Sequence, residues 1–157
     1  HGSSTVPQYI VNEINALGGN IQNAYGISKE ELKAAIPCGI GKINVDTDIR
    51  LAVTRNFREL FRDHPELKDD PKAGGVWKLL DEKRDAFDPR AFLAPIMDTV
   101  MYGAGDEGAV ARITDAMRRG VKEAVGTLIV EFGSYGKAPL VEPATLEDMA
   151  ARYAKEG

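Results

Sequence analysis

Two short stretches of this 157-residue sequence carry side chains suited to chemistry. The first is His1-Gly2-Ser3-Ser4, a possible metal ligand followed by small residues that permit close backbone approach and offer N–H donors. The second is Lys42-Ile43-Asn44-Val45-Asp46-Thr47-Asp48, where a short β-branched strand is predicted to stop in polar residues and pass into a helix from Ile49. Unpaired N–H groups at such a junction suit an anion. Asn44 offers a donor and acceptors, Asp46 is a strong acceptor, and Thr47 can donate to a phosphate oxygen. Two acidic residues beside a phosphate favour a backbone contact, with Asp46 turned to hydroxyl groups. Asp88-Pro89 reads as a helix start, with Asp88 as the cap and Pro89 first, and it places Arg90 in the first turn on the exposed side.

Each stretch has a plainer reading. Asp46, Thr47 and Asp48 can simply cap a helix. A lone histidine is more often structural than a ligand, and a catalytic zinc needs about three protein ligands. Only His64 and Cys38 remain as further candidates. His64 lies in the polar run Arg62-Asp63-His64-Pro65 and is expected to face solvent, while Cys38 is expected as a small buried apolar residue. No nucleophile–base pair, P-loop or dinucleotide fingerprint is present.

The elements that must position these residues are mostly helical. Pro7 opens a helix carrying Ile10, Val11, Ile14 and Leu17, with Gly18 as its left-handed cap. Ser28 and Glu31 form a capping box for a second helix, which Pro37 cuts short. Ile49, Val53, Phe57, Leu60 and Phe61 give a third stripe, ended before Pro65, with Arg50, Arg55, Arg58 and Arg62 on a solvated face. Residues 65–75 read as a loop, followed by a short helix from Val76. Phe92, Leu93, Ile96, Met97 and Val100 follow Asp88-Pro89 as one helix. After a loop from Gly103 to Gly108, an apolar stripe runs from Val110 through Val121, Val125 and Ile129 to Phe132. Thr145 with Asp148 opens a last helix. One strand cannot form a sheet, because its backbone groups need partners. The chain therefore reads as a carboxyl-terminal piece of a larger α/β protein, although its Gly-Ser-Ser start also suits a tag remnant.

Composition agrees with a globular domain: 43% hydrophobic, 28% charged, with one cysteine and a net charge of −4. The acidic balance argues against nucleic-acid and anionic-membrane partners. A single cysteine and no spanning apolar run suit a cytoplasmic setting.

Taken together, His1 to Gln8, Gly41 to Asp48, Phe87-Asp88-Pro89-Arg90, Phe132-Gly133, Pro143 and Leu146 to Tyr153 resemble class II fructose-1,6-bisphosphate aldolase, in its Calvin-cycle-type branch. The resemblance covers most of the chain in order. It implies an α/β fold, the carboxyl-terminal part of a TIM (β/α)8 barrel plus a helical extension, the fragment itself being mostly α-helical. Residues 1–64 match the last barrel units, and 65–157 match the extension. His1 matches a zinc ligand. Gly2, Ser3, Ser4 and Asn44, Val45, Asp46 and Thr47 match loops that hold the phosphate of dihydroxyacetone phosphate. Arg90 matches an arginine that reaches a neighbouring subunit of a homo-oligomer and binds the second phosphate. Zinc or another divalent metal, and a monovalent cation near the phosphate, are implied as cofactors. The acid/base residues and other metal ligands of the family are absent, so this chain alone is expected to be inactive. The same motifs allow tagatose 1,6-bisphosphate as substrate, or a non-catalytic phosphosugar-binding module. The sequence departs from the family at 66–86 and 103–108, which are longer than usual, and at Pro37.

Overall fold

A computed structural model describes residues 5–141 and 144–156. Its α-helices are α1 (Gln8–Ala16), α2 (Lys29–Ala35), α3 (Thr47–Asp63), α4 (Ala73–Glu82), α5 (Met97–Tyr102), α6 (Gly108–Glu131) and α7 (Leu146–Glu156). Among the described residues there is no strand. The expected strand at 42–45 is instead a segment without regular structure. A β-branched run becomes a strand only when another strand completes its hydrogen bonds. Two compact units are formed, His1–Gly126 and Thr127–Gly157.

Helix α3 is the axis of the first unit. Leu51 and Ala52 pack with Ile10, Val11 and Ile14 of α1, with Ile21 and with Ala124. Val53, Phe57, Leu60 and Phe61 face a second cluster holding Val76 and Leu80 of α4, Phe92, Ile96, and Val110 and Ile113 of α6. Phe57 meets Phe92 edge-on, with ring centroids 6.2 Å apart, an arrangement favoured by the ring quadrupoles. Because α3 is covered on more than one side, four of its polar residues, Asp48, Thr54, Asn56 and Arg58, are buried as well.

The arginine face of α3 is therefore not the solvated one expected from sequence. Arg58 is 2% exposed and donates from Nη2 to the Leu80 carbonyl at 3.0 Å; burial holds its pKa below the usual arginine value. Arg55 pairs with Glu13, Glu59 and Glu123, joining α1 and α6 to α3. Only Arg62 stays largely in solvent, paired with its neighbour Asp63.

Local signals mostly hold. Helix α1 ends in a Schellman turn: Gly18 is left-handed at φ 88°, and the Gly19 N–H reaches the Ile14 carbonyl at 2.9 Å. Ser28 and Glu31 make the capping box of α2, and Pro37 lies in the 3-10 turn Ile36–Cys38 that ends it. Cys38, expected to be buried, is exposed.

Two stretches differ from expectation. Residues 65–75 are not a loop: Pro65–Asp69 is a 3-10 turn with Leu67 buried, and α4 begins at Ala73, so it includes Gly74 and Gly75. These glycines mark close approach rather than a turn, since a Cβ on Gly74 would lie 2.2 Å from the Lys68 carbonyl oxygen. The expected helix after Asp88-Pro89 is broken into 3-10 turns at Pro89–Ala91 and Ala94–Ile96, followed by α5. Pro95 has no N–H to give to a continuous helix there.

In α6 the buried face passes from Val110 and Ile113 to Gly120 and Ala124, so Val121 and Val125 are outside the core. Small residues win because α6 crosses α3 closely: a Cβ on Gly120 would lie 2.7 Å from the Val53 Cα. The second unit takes in the end of α6, a 3-10 turn at Ala138–Leu140, and α7, whose start is capped by Thr145 and Asp148. No described residue of this unit is buried.

Candidate functional site

The amino end of α3 gathers the sequence-predicted residues that the structure describes. Asp46 precedes the helix with φ −138° and ψ −49°, and its side chain makes no capping bond. The helix also starts at Thr47, two residues before the expected Ile49. Plain capping therefore does not account for Asp46. Its carboxylate turns to Arg50 one helical turn later, taking Nε at 2.8 Å and Nη2 at 2.5 Å. Asn44 beside it is exposed, while Val45 and Thr47 are half-buried.

The remaining guanidinium nitrogen of Arg50, Nη1, donates to Asp88. Asp88 in turn accepts the Arg90 backbone N–H at 3.0 Å and the Arg90 side chain through Nε at 3.0 Å and Nη2 at 2.5 Å. The result is a row of alternating charge, Asp46–Arg50–Asp88–Arg90. Hydrogen bonds from the Arg90 side chain and backbone, with the nearby Arg50 charge, hold the Asp88 carboxyl below its usual pKa. The Arg90 guanidinium is raised by the Asp88 hydrogen bond first, and Asp46 adds a smaller attraction. Arg90 remains 73% exposed at the end of the row, where it can meet an anion.

Two further contacts anchor this region. The buried Thr54 hydroxyl donates to the Phe87 carbonyl at 2.8 Å, fixing the Phe87-to-Arg90 stretch against α3. Asp48 is 4% exposed and accepts a hydrogen bond from the Thr5 hydroxyl. That bond ties the chain just after Ser4 to the same helix end. Thr5 also lines a cleft of about 240 Å³ with Pro7, Gln8, Ser28 and Lys29. His1, Gly2, Ser3 and Ser4 themselves lie outside the described residues.

Sequence reasoning missed Arg50, Thr5 and Thr54 as parts of this region, and took Asp88 only as a cap. The spacing of Asp46 and Arg50, four apart on a helix, was the available signal for the first. No group of three His, Cys, Asp or Glu side chains able to hold a metal exists among the described residues. His64 is 43% exposed and paired with Glu66, as its polar surroundings suggested. No helix among the described residues is long and apolar enough to cross a membrane.

The amino end of α3 thus joins a polar loop to an exposed arginine through one ion-pair row. The family model for class-II fructose-bisphosphate aldolase matches residues 1–137. The chain belongs to that family. It is 34% identical over 155 residues to "Fructose-bisphosphate aldolase class 2" of Synechocystis sp., covering 99% of this chain and 32% of the relative. It is likewise 34% identical over 154 residues to the fructose-bisphosphate aldolase of Xanthobacter flavus, covering 98% of this chain and 32% of the relative. A plasmid-borne fructose-bisphosphate aldolase of Cupriavidus necator is 31% identical over 153 residues, 98% of this chain and 33% of the relative. The chain thus spans about a third of the length of the curated relatives it matches. No solved structure matches significantly.

Proposed function

We propose that this chain works within an enzyme that reversibly cleaves fructose 1,6-bisphosphate to dihydroxyacetone phosphate and glyceraldehyde 3-phosphate. The observation that carries the reading is the family match over residues 1–137, which includes both the Asn44–Thr47 loop and Arg90. In this reading the chain is the carboxyl-terminal part of a (β/α)8 barrel, and its segment 42–45 is the last barrel strand, paired with strands outside these residues. Residues 1–64 are the last barrel units and 65–157 are a helical extension.

The loops at Gly2, Ser3 and Ser4 and at Asn44, Val45, Asp46 and Thr47 hold the phosphate of dihydroxyacetone phosphate, with Asn44 towards the reacting carbon. Arg90 takes the second phosphate, reaching a substrate held by a neighbouring subunit of a homo-oligomer. Its exposure suits that role, because a guanidinium is always charged and this one is reachable from solvent. A divalent metal, zinc in the first instance, completes the proposal, with His1 as its one candidate ligand here. The remaining ligands would be residues other than those described, and the same holds for the acid/base groups. A monovalent cation beside the phosphate loop also belongs to the proposal, as does a cytoplasmic setting.

The test is aldol cleavage by the enzyme that carries these residues, with fructose and tagatose 1,6-bisphosphates compared. Cleavage of the fructose ester, lost on chelation, is expected. Asn44→Ala should then lower turnover by roughly 100-fold, the scale for removing one well-placed polar contact to the reacting centre. Unchanged kinetics would take Asn44 out of the site. Faster cleavage of the tagatose ester would change the substrate, and no lyase activity would leave a phosphosugar-binding module.

A further inference from the structure

We infer that Arg50 is a positioning residue for Arg90: it holds Asp88 from the α3 side, and Asp88 holds Arg90 where it meets the second phosphate. This rests on the aldolase reading above and adds a residue to it.

The geometry is that of a clamp. Arg50 stands one turn after Asp46, so its Nε and Nη2 edge meets that carboxylate at 2.8 and 2.5 Å, leaving Nη1 for Asp88. A guanidinium can do this because its donors are fixed in one plane on three separate nitrogens; an ammonium has three donors on one nitrogen and cannot present a bidentate edge to one carboxylate and a separate nitrogen to another. The Arg50 side chain is 29% exposed and that of Asp88 28%, so both are half-buried. Arg90, at 73%, is not. A long exposed side chain loses considerable rotamer freedom when it binds a ligand, and prior orientation reduces that loss. Asp88 supplies the orientation by accepting from the Arg90 backbone N–H and from two of its side-chain nitrogens, Nε and Nη2.

The backbone supports the same arrangement, since Thr54 of α3 accepts the placement of this stretch by donating to the Phe87 carbonyl at 2.8 Å. Arg50 and Thr54 are again one helical turn apart.

A double-mutant cycle tests the inference in the enzyme that carries this chain. Arg50→Gln is expected to raise KM for fructose 1,6-bisphosphate by roughly 10- to 100-fold, the range for a group that holds a ligand-contacting residue in place. In an Arg90→Ala background the same substitution should change KM less than about twofold, because the residue it acts through is gone. Arg50→Lys should fail to restore the parent KM, which separates clamp geometry from charge alone. If Arg50→Gln does not fold, Asp88→Asn replaces it in the cycle, since Asn retains the capping shape. Multiplicative effects of the two substitutions would overturn the positioning role while leaving Arg90 in place. An Arg90→Ala enzyme with parent kinetics would overturn the role of Arg90 itself, and with it this inference.

Discussion

Helices α3 and α7 begin alike in sequence, in a small polar cluster followed by apolar residues at helical spacing, yet their surroundings differ sharply. In α3, ten residues are buried, four of them polar or charged: Asp48 bonds Thr5, and Thr54, Asn56 and Arg58 bond the Phe87 stretch, α6 and α4. In α7, Leu146 is 88% exposed and Tyr153 68%, although the Thr145–Asp148 capping box is complete. Helix formation is a local matter of caps and spacing; burial depends on what the rest of the chain supplies. The contrast explains why the candidate site lies at the start of α3. A helix clamped on several sides can hold Arg50 still, and only a fixed Arg50 can orient anything else.

Matched substitutions in these two helices expose the difference most strongly. Leu51→Ala, at a site with no solvent exposure, should destabilise the first unit by about 2–5 kcal/mol in denaturant unfolding. Leu146→Ala in α7 should cost less than about 0.5 kcal/mol. Similar losses would mean that the apolar side of α7 is covered as well as that of α3.

The caps were the most legible part of the fold. Ser28–Glu31, Gly18 and Thr145–Asp148 all depend on residues within four of each other, and the structure forms each as expected. Glycines were read less well, because Gly74, Gly75 and Gly120 are needed for what approaches them from far along the chain. Pro95 divided a helix that its apolar spacing alone would have joined. The basic stripe of α3 misled for a similar reason: Glu13, Asp88, Glu123 and the Leu80 carbonyl lie too far away in sequence to be assigned to Arg50, Arg55 and Arg58. At the candidate site, Asp46 and Arg90 could be named in advance; the Asp46–Arg50 pair was legible from its spacing, whereas the Arg50–Asp88 link, 38 residues apart, was not.

An intermediate effect is expected at the α3–α6 crossing. Gly120→Ala puts a methyl group against backbone atoms of Ala52 and Val53, which cannot rotate away. A loss of about 1–3 kcal/mol, read from the denaturant midpoint at constant slope, would mark a tight crossing. No change would show that the two helices can separate freely there.

The smallest effect lies in the cap of α7. The Thr145 backbone N–H and then its hydroxyl hold the Asp148 carboxyl below its usual pKa. A depressed pKa stabilises the folded helix above the unfolded carboxylate value, about 3.9, and that contribution disappears as pH falls through the lower folded value. Helicity should therefore decline slightly below pH about 4, and Asp148→Asn should reduce that decline without altering unfolding of the first unit. An unaltered acid response would remove Asp148 from the cap.

The central claim is that Arg90 serves the second phosphate of a bisphosphate substrate. The most direct measurement compares fructose 1,6-bisphosphate cleavage with proton exchange on dihydroxyacetone phosphate in an Arg90→Ala enzyme. A fall of roughly 100-fold in kcat/KM for cleavage, with exchange changed less than about threefold, is the expected result. Equal losses in both reactions would contradict the claim.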